Sequence, residues 1–323
     1  MKAARYEKTG PAGEVLRVEE VERPEPAAGQ VRVRLALSGV NPTDVKSRGG
    51  ATPRPIDGYQ IPHHDGAGVI DAVGEGVGPA RVGERVWVWF AAAGQRWGTA
   101  AQWTVVPADR AVPLPEGASF ELGACLGVPA MTAHRCLFAD GPVEGRPVLV
   151  AGGAGAVGHF AIELARHAGA RVVSTVSGQQ KAELARRAGA DLVVNYRDAD
   201  AADQIRRFAE RVDRVVEVNL PANLDLDLAV AGPQTVVVTY AATAEDPVLP
   251  VRRCMTANLT LRFVLLYGVP QPALGQAARD IGQALAAGAL TELPLHRFPL
   301  EDVVAAHEAV ESGVTGKVVL EIP

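Results

Sequence analysis

The sequence predicts an α/β fold in which a doubly wound parallel sheet stands beside a β-rich domain. Three observations carry this expectation. In the run Val148-Leu-Val-Ala-Gly152-Gly-Ala-Gly155-Ala-Val-Gly158, a short apolar strand leads into glycines spaced G-x-x-G-x-x-G. From Val148 onward, strand-like and helix-like patterns alternate. Before it, residues 1 to about 110 hold short runs broken by glycine and proline, a texture that suits a small, strongly bent β-barrel.

Taken in order, residues 16–21 and 31–38 are the first candidate strands, parted by Pro24-Glu-Pro26. Residues 66–73, 85–90 and 101–106 continue the pattern between glycine-rich turns. Residues 120–138 read as helical in pieces, with a break around Gly127-Val-Pro129. Strands are then expected at 148–150, 171–176, 192–195, 214–218, 235–239 and 259–265, with helices between them. The helix at 159–168 offers Phe160, Ile162 and Leu164 for packing, and Gly169 is placed to end it. Amphipathic helices at 273–287 and 303–310 precede a last strand at 318–322, and this tail is expected to return to the first domain. The expected division is residues 1–121 with 266–323 as the β-rich domain, and 122–265 as the doubly wound one.

Composition excludes several classes. The chain has 323 residues, 48% of them hydrophobic and 21% charged, as in an ordinary globular protein with a well-buried core. A net charge of -5 gives no basic footprint for nucleic acid or an anionic membrane. No apolar run approaches the ~20 residues of a membrane span, and the first residues lack a signal-peptide core. Cys125, Cys136 and Cys254 form no closely spaced metal or redox motif, so a cytoplasmic location is expected. Lysine stands only at positions 2, 8, 46, 181 and 317 in an otherwise arginine-based chain, which singles out each one.

The glycine run has a physical logic. One glycine allows the tight turn from strand to helix, one lets a pyrophosphate approach the backbone, and one lets the helix pack close to the strand. The amides at the helix N-terminus then hold the anion. Followed by a second strand at 171–176, the run predicts dinucleotide binding, with Gly152, Ala154, Gly155, Ala156, Val157 and Gly158 forming the loop.

Several islands resemble one family. Gly39-Val-Asn-Pro-Thr-Asp44, Asp65-Gly-Ala-Gly-Val-Ile70, Val82-Gly-Glu-Arg-Val86, Gly127-Val-Pro-Ala-Met-Thr-Ala133, the glycine loop, Gly189-Ala190 with Asn195-Tyr-Arg197, and Thr315-Gly-Lys-Val-Val-Leu320 follow in family order. The chain resembles the medium-chain dehydrogenase/reductase superfamily, most closely its zinc-free quinone oxidoreductases of the zeta-crystallin type. That resemblance implies a Rossmann domain, a GroES-like catalytic domain and a homodimer or dimer of dimers.

Within this frame NADPH is the expected cofactor. Enzymes using NAD usually place Asp or Glu after the second strand. Here the segment Ser174-Thr-Val-Ser-Gly-Gln-Gln-Lys181 has no carboxylate to repel a 2′-phosphate. The resemblance gives Ser177, Lys181 and Tyr196 to that phosphate, with Arg197 beside them. It gives Met131, Thr132 and the backbone of Phe263 to Leu265 to the nicotinamide, and Lys317 either to the pyrophosphate or to the surface. Asn41 matches the polar residue beside the nicotinamide, or serves as a turn asparagine before Pro42. Lys46 stands where relatives commonly have tyrosine, and Tyr59 is a candidate for the cleft mouth, so Asn41, Lys46 and Tyr59 are the candidate catalytic residues.

No metal is expected. Zinc-dependent relatives hold the ion with Cys, His and Cys, and Asn41 and Val128 stand at the two cysteine positions, leaving His64. The chemistry left is direct hydride transfer to an easy small-molecule acceptor, a quinone or an enone. Two other readings stay open: a double-bond reductase of enones or alkenals in the same superfamily, and a non-enzymatic NADPH- or RNA-binding protein of the zeta-crystallin type, although the acidic charge disfavours RNA.

Overall fold

The computed structural model describes residues 1–52, 55–243 and 245–323. They form two compact units, Pro129–Thr291 and Met1–Val128 with Glu292–Pro323.

The contiguous unit holds a six-stranded parallel sheet in the order Leu192–Asn195, Arg171–Val176, Pro147–Ala151, Val212–Glu217, Ala231–Thr239, Thr260–Phe263. This is the doubly wound order 3-2-1-4-5-6, with the switch between the first and fourth strands. Its central strands are valine runs because both faces are covered: Val148, Val150, Val172, Val173, Val215 and Val216 are all buried. On one face, Leu149, Val173 and Val215 pack with Ile205 of the helix Ala201–Phe208 and Leu220 and Leu224 of the helix Leu220–Val230. The helix Ala156–His167 buries Phe160, Ile162 and Leu164. It ends where Gly169 takes φ 79° and donates its N–H to Arg166 O at 2.9 Å.

The boundaries differ from those read in the sequence. The doubly wound unit runs on to Thr291, because the helix Gln271–Ala286 belongs to it. Asp280 of that helix bonds His134 at 2.8 Å, and the Thr291 hydroxyl donates to Glu163 at 2.5 Å. The other end falls at Val128/Pro129, inside the helix Gly127–Phe138. The expected helix break lies earlier, between Gly123 and Gly127. Pro129 sits in the first turn, where its missing N–H costs no intrahelical bond.

The discontinuous unit is organised on the eleven-residue strand Gln30–Val40. One edge pairs antiparallel with Asp65–Val73, with register shifts at Arg32/Val33 and Leu35/Leu37 that bend the strand. The other edge pairs first with Trp103–Pro107 and then, from Leu37 to Val40, with the C-terminal strand Lys317–Glu321. That last strand also pairs in parallel with Leu295–Pro299, a strand not anticipated from the sequence. The expected return of the tail is therefore a sheet insertion. Leu16, Val40, Ile61, Leu300, Val303 and Leu320 form the core beneath it. No helix among the described residues is long and apolar enough to cross a membrane.

Candidate cofactor and active-site residues

The glycine loop lies at the carboxyl end of Pro147–Ala151, where nucleotides bind in such sheets. Its glycines answer to different constraints. Gly152 has φ 71°, left-handed backbone that favours glycine, and its N–H donates to Thr175 O at 2.9 Å. A Cβ on Gly158 would stand 2.3 Å from Gly152 O, so the helix packs on the turn only without one. Gly155 is constrained by neither. Its φ is -81°, it is exposed, and a Cβ there would meet only Gly152 O at 3.4 Å. The fold does not need this glycine; a ligand lying against its backbone would. Ala156 and Val157 open the helix Ala156–His167, whose first amides lack intrahelical partners, while Ala154 is buried below. This cradle fits a pyrophosphate.

The neighbouring strand ends bring the second group together. Asn195 is in register with Val176, and Tyr196 donates its N–H to Val176 O at 3.1 Å. Tyr196 thus emerges beside the segment carrying Ser177. Lys181 is exposed in the first turn of the helix Gln179–Arg187, and the Arg197 guanidinium lies 5.6 Å from the Tyr196 ring centre. Met131 and Thr132 are buried on the helix Gly127–Phe138. Phe263 and Leu265 are exposed, and Val264 donates to Thr239 O at 2.9 Å.

The discontinuous unit contains a buried polar cluster. Asn41 leaves the strand Gln30–Val40 and caps the helix Pro42–Gly49, with Pro42 in the first turn. Its backbone N–H donates to Asp44 Oδ2 at 2.8 Å, and its Nδ2 donates to Asp65 Oδ2 at 2.7 Å. Lys317 Nζ donates to Asn41 Oδ1 and lies 3.9 Å from Asp65 Oδ2. Val128 N–H donates to both oxygens of Asp65 at 2.9 Å. Asn41, Asp44, Asp65 and Lys317 are all at most 3% exposed. Two motif glycines make room: a Cβ on Gly127 would stand 2.1 Å from Asp65 Oδ1, and one on Gly39 2.1 Å from Ala124 O. Lys317 is therefore neither a surface lysine nor, in this conformation, free to reach outward.

Burial sets the charges here. It pushes the Asp44 carboxyl up to about 8, with Asp65 adding repulsion, and pushes the Cys125 thiol up to about 12. Burial also raises Asp65, against the opposing pull of Lys317, Asn41 and the Val128 amide. A folded-state pKa above the ordinary value of about 4 means that Asp44 opposes folding progressively as pH rises from about 4 to about 8. Asp44→Asn, which keeps an acceptor for the Asn41 N–H, should remove that slope. Relative to wild type, the variant should gain up to about 4 kcal/mol between pH 5 and pH 8. Denaturant midpoints at the two pH values measure this; a constant offset would mean that burial does not hold the proton.

Beside Asp44, a pocket of this unit is lined by Thr9, Ser47, Gln60, His63 and His64 among others. His63 holds φ 76°, and its ring bridges Ser38 Oγ at 2.8 Å and His307 Nε2 at 2.9 Å. Thr99 donates to the Asp65 carbonyl, so Ser38 donates to Thr99, His63 Nδ1 to Ser38, and His307 Nε2 to His63. The facing Nε2 atoms require at least one neutral ring, and burial drives both imidazoles downward, His307 to about 3, so both are neutral near pH 7. His64 is buried edge-on to Phe90, with ring centres 5.9 Å apart.

The structure does not bring every candidate together. Lys46 faces solvent on a helix that turns Asp44, Val45 and Arg48 inward. Tyr59 packs edge-on to Trp97 between the guanidiniums of Arg5 and Arg96. Neither joins the hydrogen-bonded cluster around Asn41 among the described residues. Asp44 and Asp65 were visible only as members of motifs. The Asn-x-x-Asp spacing of a helix cap was the signal for Asp44, whereas a bond between residues 41 and 317 leaves no local signal.

Comparison with known proteins follows the same division. The alcohol dehydrogenase GroES-like domain matches residues 27–116, and the zinc-binding dehydrogenase family matches residues 156–281. The quinone oxidoreductase of Pongo abelii is 32% identical over 99% of this chain and 97% of its own length. The chain belongs to the quinone oxidoreductase family of the medium-chain dehydrogenase/reductase superfamily. It is thus an oxidoreductase, with the Rossmann and GroES-like architecture expected above. Mycobacterial Rv1454c complexed with NADPH superposes with a TM-score of 0.84 at 30% identity, covering 99% of this chain and all of that one. An NAD-dependent alcohol dehydrogenase superposes with a TM-score of 0.90 at 26% identity, each chain covered in full. The Asn41 carboxamide is engaged by Lys317 and Asp65, and Val128 offers a backbone N–H. Among the described residues no three His, Cys, Asp or Glu side chains converge on a metal position.

Proposed function

We propose that the protein reduces quinones or related electron-poor carbonyl compounds with NADPH and without a metal ion. The open cradle at Gly155 carries this reading, since it is the one glycine of the loop that the fold itself does not require. Full-length likeness to quinone oxidoreductases and the NADPH-bound mycobacterial relative support it. When bound, NADPH supplies the hydride.

The chain's residues bind and orient. Amides at the start of Ala156–His167 hold the pyrophosphate, while Ser177, Lys181, Tyr196 and Arg197 hold the 2′-phosphate, with no carboxylate in residues 174–181 to repel it. Met131, Thr132 and the backbone of residues 263–265 serve the nicotinamide end. Asn41 donates an amide hydrogen to the acceptor oxygen, where negative charge develops. Lys46, exposed on its helix, and Tyr59, packed on Trp97, stand outside the hydrogen-bonded cluster around Asn41.

Oxidation of NADPH measured against a panel of quinones, enals, aldehydes and saturated alcohols tests the reading. Quinones or enones should be turned over and simple alcohols should not; brisk alcohol oxidation would overturn it. Lys181→Ala should raise KM for NADPH about tenfold to a hundredfold, the worth of one exposed charged phosphate contact at roughly 1–3 kcal/mol. Its KM for NADH should stay nearly unchanged. Equal losses for both cofactors would remove Lys181 from the phosphate.

A further inference from the structure

A carboxamide offers one oxygen that accepts and two N–H groups that donate, and its two orientations have nearly the same shape. At Asn41 the partners decide between them. The Lys317 ammonium can only donate, so it faces Oδ1. At the Asp65 carboxyl, the Val128 amide donates to both oxygens at 2.9 Å, the Lys317 ammonium lies 3.9 Å away, and Asn41 Nδ2 stands at 2.7 Å. A backbone N–H on both of its oxygens and an ammonium at ion-pair distance favour the carboxylate form of Asp65, which can only accept, so it faces Nδ2.

Both partners are themselves anchored by backbone. Asp65 is held by Val128 N–H on both oxygens. Lys317 donates its own N–H to Pro294 O at 2.9 Å, and the next residue, Val318, is in register with Val40, immediately before Asn41. The Lys317 stem runs past Gly39, whose missing Cβ would come 3.3 Å from Cε. The clamp therefore combines rigid anchors with opposite polarities.

We infer that Lys317 and Asp65 are positioning residues that grip the Asn41 carboxamide from its two ends, fix its orientation and leave its second amide hydrogen for the acceptor oxygen. The inference rests on the reading of Asn41 as the donor to that oxygen. It gives Lys317 work within its own unit in place of a contact to phosphate.

The test uses full-length protein labelled with 15N at asparagine, the Asn41 side-chain signals being identified by their loss in Asn41→Ala. In the wild type the two Asn41 amide hydrogens should be well separated and slow to exchange. In Lys317→Met they should converge and exchange at least about tenfold faster, and Lys317→Arg should restore much of the separation. The same Lys317→Met should lower kcat at least about tenfold, with NADPH Kd changed less than about twofold. In an Asn41→Ala background it should have no further effect on kcat. Because Lys317→Met leaves Asp65 buried without its counter-charge, the double variant Lys317→Met, Asp65→Asn removes the pair together and keeps the charge balance. It should fold, as read by thermal unfolding, with the Asn41 signals released. Unchanged Asn41 signals in both variants would overturn the inference, as would a tenfold weaker Kd for NADPH with kcat intact. Released signals with kcat indifferent to Asn41→Ala would uphold the clamp and refute instead the reading of Asn41 as donor.

Discussion

Gly155→Val abolishes NADPH binding and leaves the protein folded. The second half of this expected result is as specific as the first. At φ -81° and ψ 162° the backbone of Gly155 suits any residue, valine included, and a Cβ meets only one carbonyl oxygen at an ordinary distance of 3.4 Å. The folded state therefore tolerates the side chain. The pyrophosphate does not, because its approach to the loop backbone requires the volume that the two methyl groups would fill. Affinity should fall at least about a thousandfold, roughly 4 kcal/mol. Calorimetry with NADPH, alongside thermal unfolding of the free protein, measures both halves. Gly158→Val is the contrasting variant: its Cβ would stand 2.3 Å from Gly152 O, so it should destabilise the free protein as well. Unchanged NADPH affinity in Gly155→Val would mean that the nucleotide lies elsewhere.

Asn41→Ala should lower kcat about tenfold to a thousandfold, the range for one donor aimed at developing negative charge in a water-poor site. NADPH Kd should change little. Removal of the carboxamide leaves the Lys317 ammonium beside the Asp65 carboxylate, 3.9 Å apart before any adjustment, so the buried charges remain paired and the fold should persist. Single-turnover rates with a quinone in excess, together with direct titration of NADPH, separate the two effects. An unchanged rate would show that the acceptor oxygen is not held by Asn41.

How far the sequence reached depended on the range of each interaction. The doubly wound sheet was legible because its strands are valine runs and its loop is punctuated by glycine, and both are local patterns. The strands at 171–176 and 192–195 were located to the residue. The helix Pro42–Gly49 was not anticipated, although the Asn41 cap and Pro42 mark its start, because its eight residues carry little apolar periodicity. Leu295–Pro299 escaped because His296 and Arg297 break the strand pattern, and pairing with Lys317–Glu321 is what makes it a strand. In the candidate site, Gly155 was singled out by glycine spacing along the chain and Lys181 by the resemblance and its place after the second strand. The environment of Asn41 was not, since it depends on Asp65, Val128 and Lys317, residues that only the fold brings together.

The insertion of Lys317–Glu321 beside Gln30–Val40 also bears on the order of synthesis. A nascent chain emerges from its N-terminus, so the sheet begun at Gln30 lacks two strands until roughly 200 further residues have followed Pro113. At about 5–20 residues per second that interval is on the order of 10–40 s. All six strands of the parallel sheet lie within this interval, and that unit can close on itself while the edge from Leu37 to Val40 still waits, open to any passing strand. The sheet begun at Gln30 is thus completed after the parallel one, and Asn41 acquires its lysine only once residues 317–321 have been made.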